Sequence, residues 1–142
     1  MTVPKKLNWG ILGAARVNER LLPAIVEATN SELVAIASRR PGAAAQTLAQ
    51  YAPHQQNVQT YDNLEALLDD ADVEAVYLPL ANHEHAEWAL RAIEHGKHVL
   101  CEKPLARTAA GARRARSYVS GPANENESPR RANAGTCSAL PL

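Results

Sequence analysis

Leu7-Asn8-Trp9-Gly10-Ile11-Leu12-Gly13-Ala14-Ala15-Arg16-Val17-Asn18 is an apolar run, then a bend of small residues, then the start of a helical period. The run from Leu7 to Leu12, bounded by Lys6 and Gly13, predicts a strand. From Arg16 to Thr29 the apolar residues Val17, Leu21, Leu22, Ile25 and Val26 recur at the spacing of one helix face. Pro23 is tolerated there if it falls in the first turns. A strand that passes through a tight turn into a helix opens a βαβ unit.

The same alternation continues downstream. Leu33–Ala37 reads as a second strand and Gly42–Tyr51 as an alanine-rich helix, with Pro41 suited to its first turn. Val58–Tyr61 reads as a weak third strand. Asn63–Asp69 reads as a short helix capped by Asp62. Ala75–Leu80 forms a fourth strand ending near Pro79. His83–His95 forms a helix closed by Gly96, and Lys97–Cys101 a fifth strand. Strands alternating with helices at this spacing predict a parallel sheet, and right-handed crossovers make it doubly wound.

With 142 residues the chain has the length of one typical domain. Phe is absent and aromatic residues make up 4%, so Leu, Val, Ile and Ala must fill the core. The formal net charge is zero, which offers no basic face for nucleic acid. No run reaches the length of a membrane span, and no apolar stretch follows the charges of Met1–Lys6. Cys101 lies in a predicted strand and Cys137 in a polar tail, so no disulfide between them is expected. A cytoplasmic location follows from this reading. Residues 1–110 are expected to form the domain. The segment 111–142 holds one valine and two leucines among scattered Gly, Pro, Asn and Ser, and is expected to be a disordered or aberrant tail beyond a helical start at Leu105–Tyr118.

The small-residue bend can bring backbone N–H groups and a helix N-terminus up to a pyrophosphate. Measured against G-x-G-x-x-G/A, only Gly13 is kept, with Ala15 and Asn18 at the other two positions. Ala15 narrows the approach, and Asn18 weakens close packing of helix on strand. A turn without a ligand remains the alternative. The second strand ends Ala37-Ser38-Arg39-Arg40, and the nearest acid, Glu32, lies at its other end. A hydroxyl and guanidinium groups suit a 2′-phosphate, which points to NADP with NAD admitted. Against this stands the reading that Arg39 and Arg40 only solvate a loop. Glu102-Lys103-Pro104 follows the fifth strand directly, where open α/β sheets bind ligands.

His83, His85, His95 and His98 lack the acids or thiols that would complete a metal site, and none is expected. Glu84, Glu87 and Glu94 read as a solvated helix face. Arg113, Arg114, Arg116, Arg130 and Arg131 have only Tyr118 as an interleaved aromatic, too little for nucleic-acid stacking.

These segments together resemble the Gfo/Idh/MocA family of NAD(P)-dependent oxidoreductases. The resemblance rests on Trp9–Ala15, Ala37-Ser38-Arg39, Tyr61–Leu64, Val76–Asn82, His85–Trp88 and Gly96–Leu105, and is strongest toward dihydrodiol and sugar dehydrogenases. It implies a Rossmann-like domain and hydride transfer between a nicotinamide and a carbinol carbon of a sugar, cyclitol or diol. It implies cofactor contacts at Gly10, Gly13, Ala14, Ala15, Arg16, Ser38, Arg39 and Arg40. Pro79, Leu80, Asn82, His85, Glu102 and Lys103 would lie nearer the nicotinamide. Lys103 would bind and polarise the reacting oxygen, Glu102 would hold Lys103 or touch the cofactor, and Pro104 would be cis. Nothing after Ala110 matches the family's substrate domain or oligomer interface, so the chain is expected to be truncated. A non-catalytic nucleotide-binding module is the rival reading.

Overall fold

A computed structural model describes residues 3–104 and 106–119. Leu105 and the segment from residue 120 on, with Arg130, Arg131 and Cys137, lie outside the described residues. Five strands, β1 (Leu7–Leu12), β2 (Ser31–Ala37), β3 (Gln59–Tyr61), β4 (Ala75–Leu78) and β5 (His98–Cys101), form one sheet in the order β3-β2-β1-β4-β5. Every pairing is parallel. The helices are α1 (Asn18–Glu27), α2 (Ala43–Tyr51), α3 (Leu64–Leu68), α4 (His85–Glu94) and α5 (Ala109–Val119).

Side chains alternate between two cores along β1, β4 and β5, as a pleated ribbon requires, while a register shift opposite Trp9 and Gly10 interrupts the alternation in β2. Ile11, Leu33, Ile36 and Tyr77 pack with Leu22 and Ile25 of α1 and Ala44 of α2. Leu12, Ala35, Ala37, Val76, Leu78 and Val99 pack on the opposite face with Leu64, Leu67 and Leu68 of α3 and Trp88, Ala89 and Ala92 of α4. Burial on both faces explains why the central strands read as near-continuous apolar runs. The sheet is therefore doubly wound, with its strand order reversing about β1.

The ends of the elements correct some local expectations and bear out others. Asn63, not Asp62, caps α3: its side chain accepts from the Glu65 N–H at 2.8 Å. Asp62 instead accepts from the Gly42 N–H at 3.1 Å. The fourth strand stops at Leu78, because Pro79 has no N–H to continue the ladder. Pro23 lies past the first turn of α1 and cannot donate to the Glu19 carbonyl. At the other end of α4, Gly96 N–H donates to Ile93 O at 2.9 Å and Lys97 N–H to Ala92 O at 3.0 Å. Those paired bonds close the helix as a Schellman motif. α5 begins before the compositional change at Ala110 and runs through it.

Candidate functional site

The carboxyl ends of the strands carry the candidate site. The backbone turns out of β1 at Gly13, whose φ of 131° is open to glycine and strained for other residues. A Cβ there would lie 3.0 Å from Leu80 Cδ2 and 3.6 Å from Pro79 O. Gly13 N–H donates to Ala37 O at 2.9 Å, which pins the turn beside the end of β2. The N–H groups of Ala14, Ala15 and Arg16 have no partner among the described residues. They precede α1, so unpaired donors and the positive end of a helix dipole coincide.

Asn18 takes the place of the third fingerprint glycine and is fully buried. Its Nδ2 donates to the Gly13 carbonyl at 2.9 Å, so it ties the turn from within. Its Oδ1 is buried without a hydrogen-bond partner among the described residues. Sequence reading took Asn18 only as a loss of packing; the structure gives it a polar role. Gly10 moves the other way. It lies inside β1, where a Cβ would sit 2.8 Å from Leu67 Cδ2 and 2.9 Å from Val73 Cγ1. Close packing against α3 accounts for this glycine, and it does not face the turn.

Ser38 and Arg39 sit at the end of β2, next to the turn. Ser38 is buried, and its Oγ accepts from Arg40 N–H at 3.2 Å. Arg40 donates from Nη2 to the Ala14 carbonyl at 3.1 Å, so its guanidinium braces the glycine turn. Arg39 forms a two-pronged ion pair with Glu84, Nη2–Oε2 2.8 Å and Nη1–Oε1 2.5 Å. Glu84 was expected on a solvated helix face. It lies instead in a 3-10 turn over Asn82–Glu84, with a side chain only 13% exposed. The Arg39 guanidinium holds the Glu84 carboxyl below the usual carboxylate range by hydrogen bonding.

On the other side of β1, His85 is 1% exposed. Its Nδ1 lies 2.6 Å from Pro104 O and its Nε2 2.8 Å from Leu80 O. A neutral imidazole has one N–H and donates to one of the two. With both nitrogens on backbone carbonyls, His85 braces the end of β4 against the Lys103–Pro104 segment. The Lys103–Pro104 peptide is cis. Glu102 accepts a short hydrogen bond from the hydroxyl of Tyr77, a fully buried residue of β4. Burial and then this bond push the Tyr77 phenol well above its usual range. So Glu102 is held by Tyr77 and not by Lys103. Lys103 is exposed and has no partner among the described residues. Pro79 is buried, Leu80 half-buried, and Arg16 and Asn82 exposed at the same edge. Among the described residues no group of three or more His, Cys, Asp or Glu is placed to hold a metal. No described helix is long and apolar enough to cross a membrane.

Tyr77, Asn18 and Glu84 were missed by sequence reasoning. A tyrosine in an otherwise aliphatic buried strand was the available signal for the first, since its hydroxyl must find a partner.

Comparison with known proteins places this site in a family. A D-xylose 1-dehydrogenase (NADP(+)) of Haloferax volcanii is 41% identical over 107 residues, covering 72% of this chain and 30% of that protein. A dTDP-3,4-didehydro-2,6-dideoxy-alpha-D-glucose 3-reductase of Saccharopolyspora spinosa is 39% identical over 107 residues, 75% of this chain and 31% of its own length. The crystal structure of a 3-ketoreductase from Actinomadura kijaniata in complex with TDP-benzene and NADP superposes with a TM-score of 0.73 at 36% identity, covering 80% of this chain and 35% of that one. The chain thus spans about three tenths of the length of these curated relatives. The family model for the Gfo/Idh/MocA oxidoreductases, described as a NAD-binding Rossmann fold, matches residues 7–120. The chain belongs to that oxidoreductase family.

Proposed function

We propose that this chain binds NADP(H) across the carboxyl ends of β1, β2 and β4. It would serve as the cofactor-binding part of an oxidoreductase acting on a carbinol carbon of a sugar, cyclitol or diol. The observation that carries the reading is the set of unpartnered N–H groups at Ala14, Ala15 and Arg16, placed beside Ser38 and Arg39. The donors suit a pyrophosphate, and the guanidinium beside a serine hydroxyl suits a 2′-phosphate. Glycine at position 13 lets the turn pack closely on Pro79 and Leu80, where a Cβ would be crowded. The two relatives whose names or structures include NADP support the same choice. NAD remains compatible with the turn, which reads only the pyrophosphate.

The nicotinamide, when bound, supplies the hydride chemistry. The chain's own residues would position it. Tyr77 hydrogen-bonds Glu102, and the buried His85 ring lies against the Pro104 carbonyl, so the segment bearing Lys103 is contacted on both sides. The Lys103 ammonium would donate to the substrate oxygen as it gains negative charge. Substrate selection, and a cytoplasmic location, belong to the same proposal. The sugar names of the relatives support a sugar substrate.

Lys103→Met tests the role of the ammonium. NADPH affinity should stay within about twofold of wild type, while turnover of sugars or diols, followed by nicotinamide absorbance, should fall by about a hundredfold or more. Undiminished turnover would remove Lys103 from the chemistry. Cofactor binding with no turnover in the wild type would leave the chain the binding step alone.

A further inference from the structure

Arg39 and Glu84 are 45 residues apart in sequence, yet their side chains meet at two oxygens. Arg39 follows β2, and Glu84 lies in the 3-10 turn after β4. These strands flank β1 on either side. The ion pair therefore joins the two loops that border the glycine turn. It uses both terminal nitrogens of the guanidinium, the same fork that a phosphate oxyanion would engage. Arg40 instead donates one hydrogen bond to the Ala14 carbonyl.

We propose that Glu84 is a specificity-determining residue of the cofactor site: its carboxylate occupies the Arg39 fork until a 2′-phosphate displaces it, so Glu84 sets affinity for NADP(H) and not for NAD(H). The inference rests on the cofactor reading given above. A phosphate monoester carries about −1.5 to −2 charges near pH 7 against −1 for a carboxylate, so it wins the fork. NAD(H) has only ribose hydroxyls at that point and leaves the pair closed. Arg39 is half-exposed, at 56%, so water meets either partner during the exchange and the difference is modest.

The test is a calorimetric cycle at one fixed salt concentration. Wild type, Glu84→Gln, Arg39→Ala and the double variant are each titrated with NADPH and with NADH, after circular dichroism has confirmed folding. Glu84→Gln should bind NADPH roughly two- to fivefold tighter, the range set by a partly exposed ion pair. Its NADH affinity should be unchanged, and the gain should vanish when Arg39 is absent. Glu84→Ala should repeat the gain, which guards against a residual amide hydrogen bond to Arg39. An unchanged or weaker NADPH affinity in Glu84→Gln, with a binding-competent wild type, overturns the proposal. So does a gain that persists without Arg39, which would make Glu84 a general repulsive charge. A folded wild type that binds neither nucleotide overturns the cofactor reading itself, and this inference with it.

Discussion

The two loops that flank the glycine turn are built from opposite physics. Around β4 and β5, two polar side chains are buried: Tyr77, within β4, is closed off from water, His85 is 1% exposed, and both lie in hydrogen-bond contact with the Glu102–Pro104 segment. After β2, Arg39 and Arg40 are exposed and make contacts that water can replace. A buried polar atom that loses its partner pays the full desolvation penalty, whereas an exposed one turns to solvent. The first loop can therefore hold one geometry, and the second can exchange partners at little cost. Fixed geometry suits the place where a reacting atom would be presented, and exchange suits the place where cofactors differ.

This contrast can be broken by substitution. His85→Ala removes the imidazole that donates to one of the Leu80 and Pro104 carbonyls and opens a void among buried residues. It should lower unfolding free energy by about 3 kcal/mol in urea titrations. A loss below about 1 kcal/mol would show that this loop is not the rigid one. Tyr77→Phe removes a single hydroxyl and should cost about 1 to 2 kcal/mol at neutral pH.

The same variant gives a pH signature. In the folded chain the Tyr77 phenol ionises above its ordinary value, so the folded state keeps a proton that the unfolded state releases. That contribution to stability is fully present below the unfolded value near pH ~10 and declines as pH rises through the folded one. Tyr77→Phe should flatten this alkaline decline. An identical slope in both proteins would place the titrating group elsewhere. The smallest effect on stability belongs to the other loop: Arg39→Asp should change unfolding free energy by less than about 1 kcal/mol.

Much of the fold was legible because it is written locally. The strand Leu7–Leu12 carries the boundaries its flanking Lys6 and Gly13 predicted, and the alternation of strands and helices led directly to the parallel sheet. Errors arose where neighbouring residues compete for one local task. Asp62 and Asn63 both suit an N-cap, and only the structure shows that Asp62 is used by Gly42. Gly10 illustrates a second kind of limit. A glycine three residues before a phosphate-type bend reads as part of it, yet a Cβ there would crowd Leu67 and Val73. The bend at Gly13 and the Ser38-Arg39 pair after β2 were legible, since turn chemistry and charge are local. The supports of the site were not. Tyr77 reaches Glu102 across 25 residues, because the register pairs Tyr77 with Leu100 and brings its hydroxyl alongside the end of β5. Glu84 meets Arg39 only because β2 and β4 both lie against β1. Such contacts depend on strand order, which sequence periodicity does not encode.

The central claim is that the end of β2 reads a 2′-phosphate beside a pyrophosphate-binding turn. Calorimetric titration of folded wild type and Arg39→Asp with NADPH and NADH tests it most directly. Wild type should bind NADPH about tenfold or more tightly than NADH, the worth of a charge-assisted contact, and Arg39→Asp should erase or invert that ratio. An equal preference in both proteins, or no heat from either nucleotide with wild type, would contradict it.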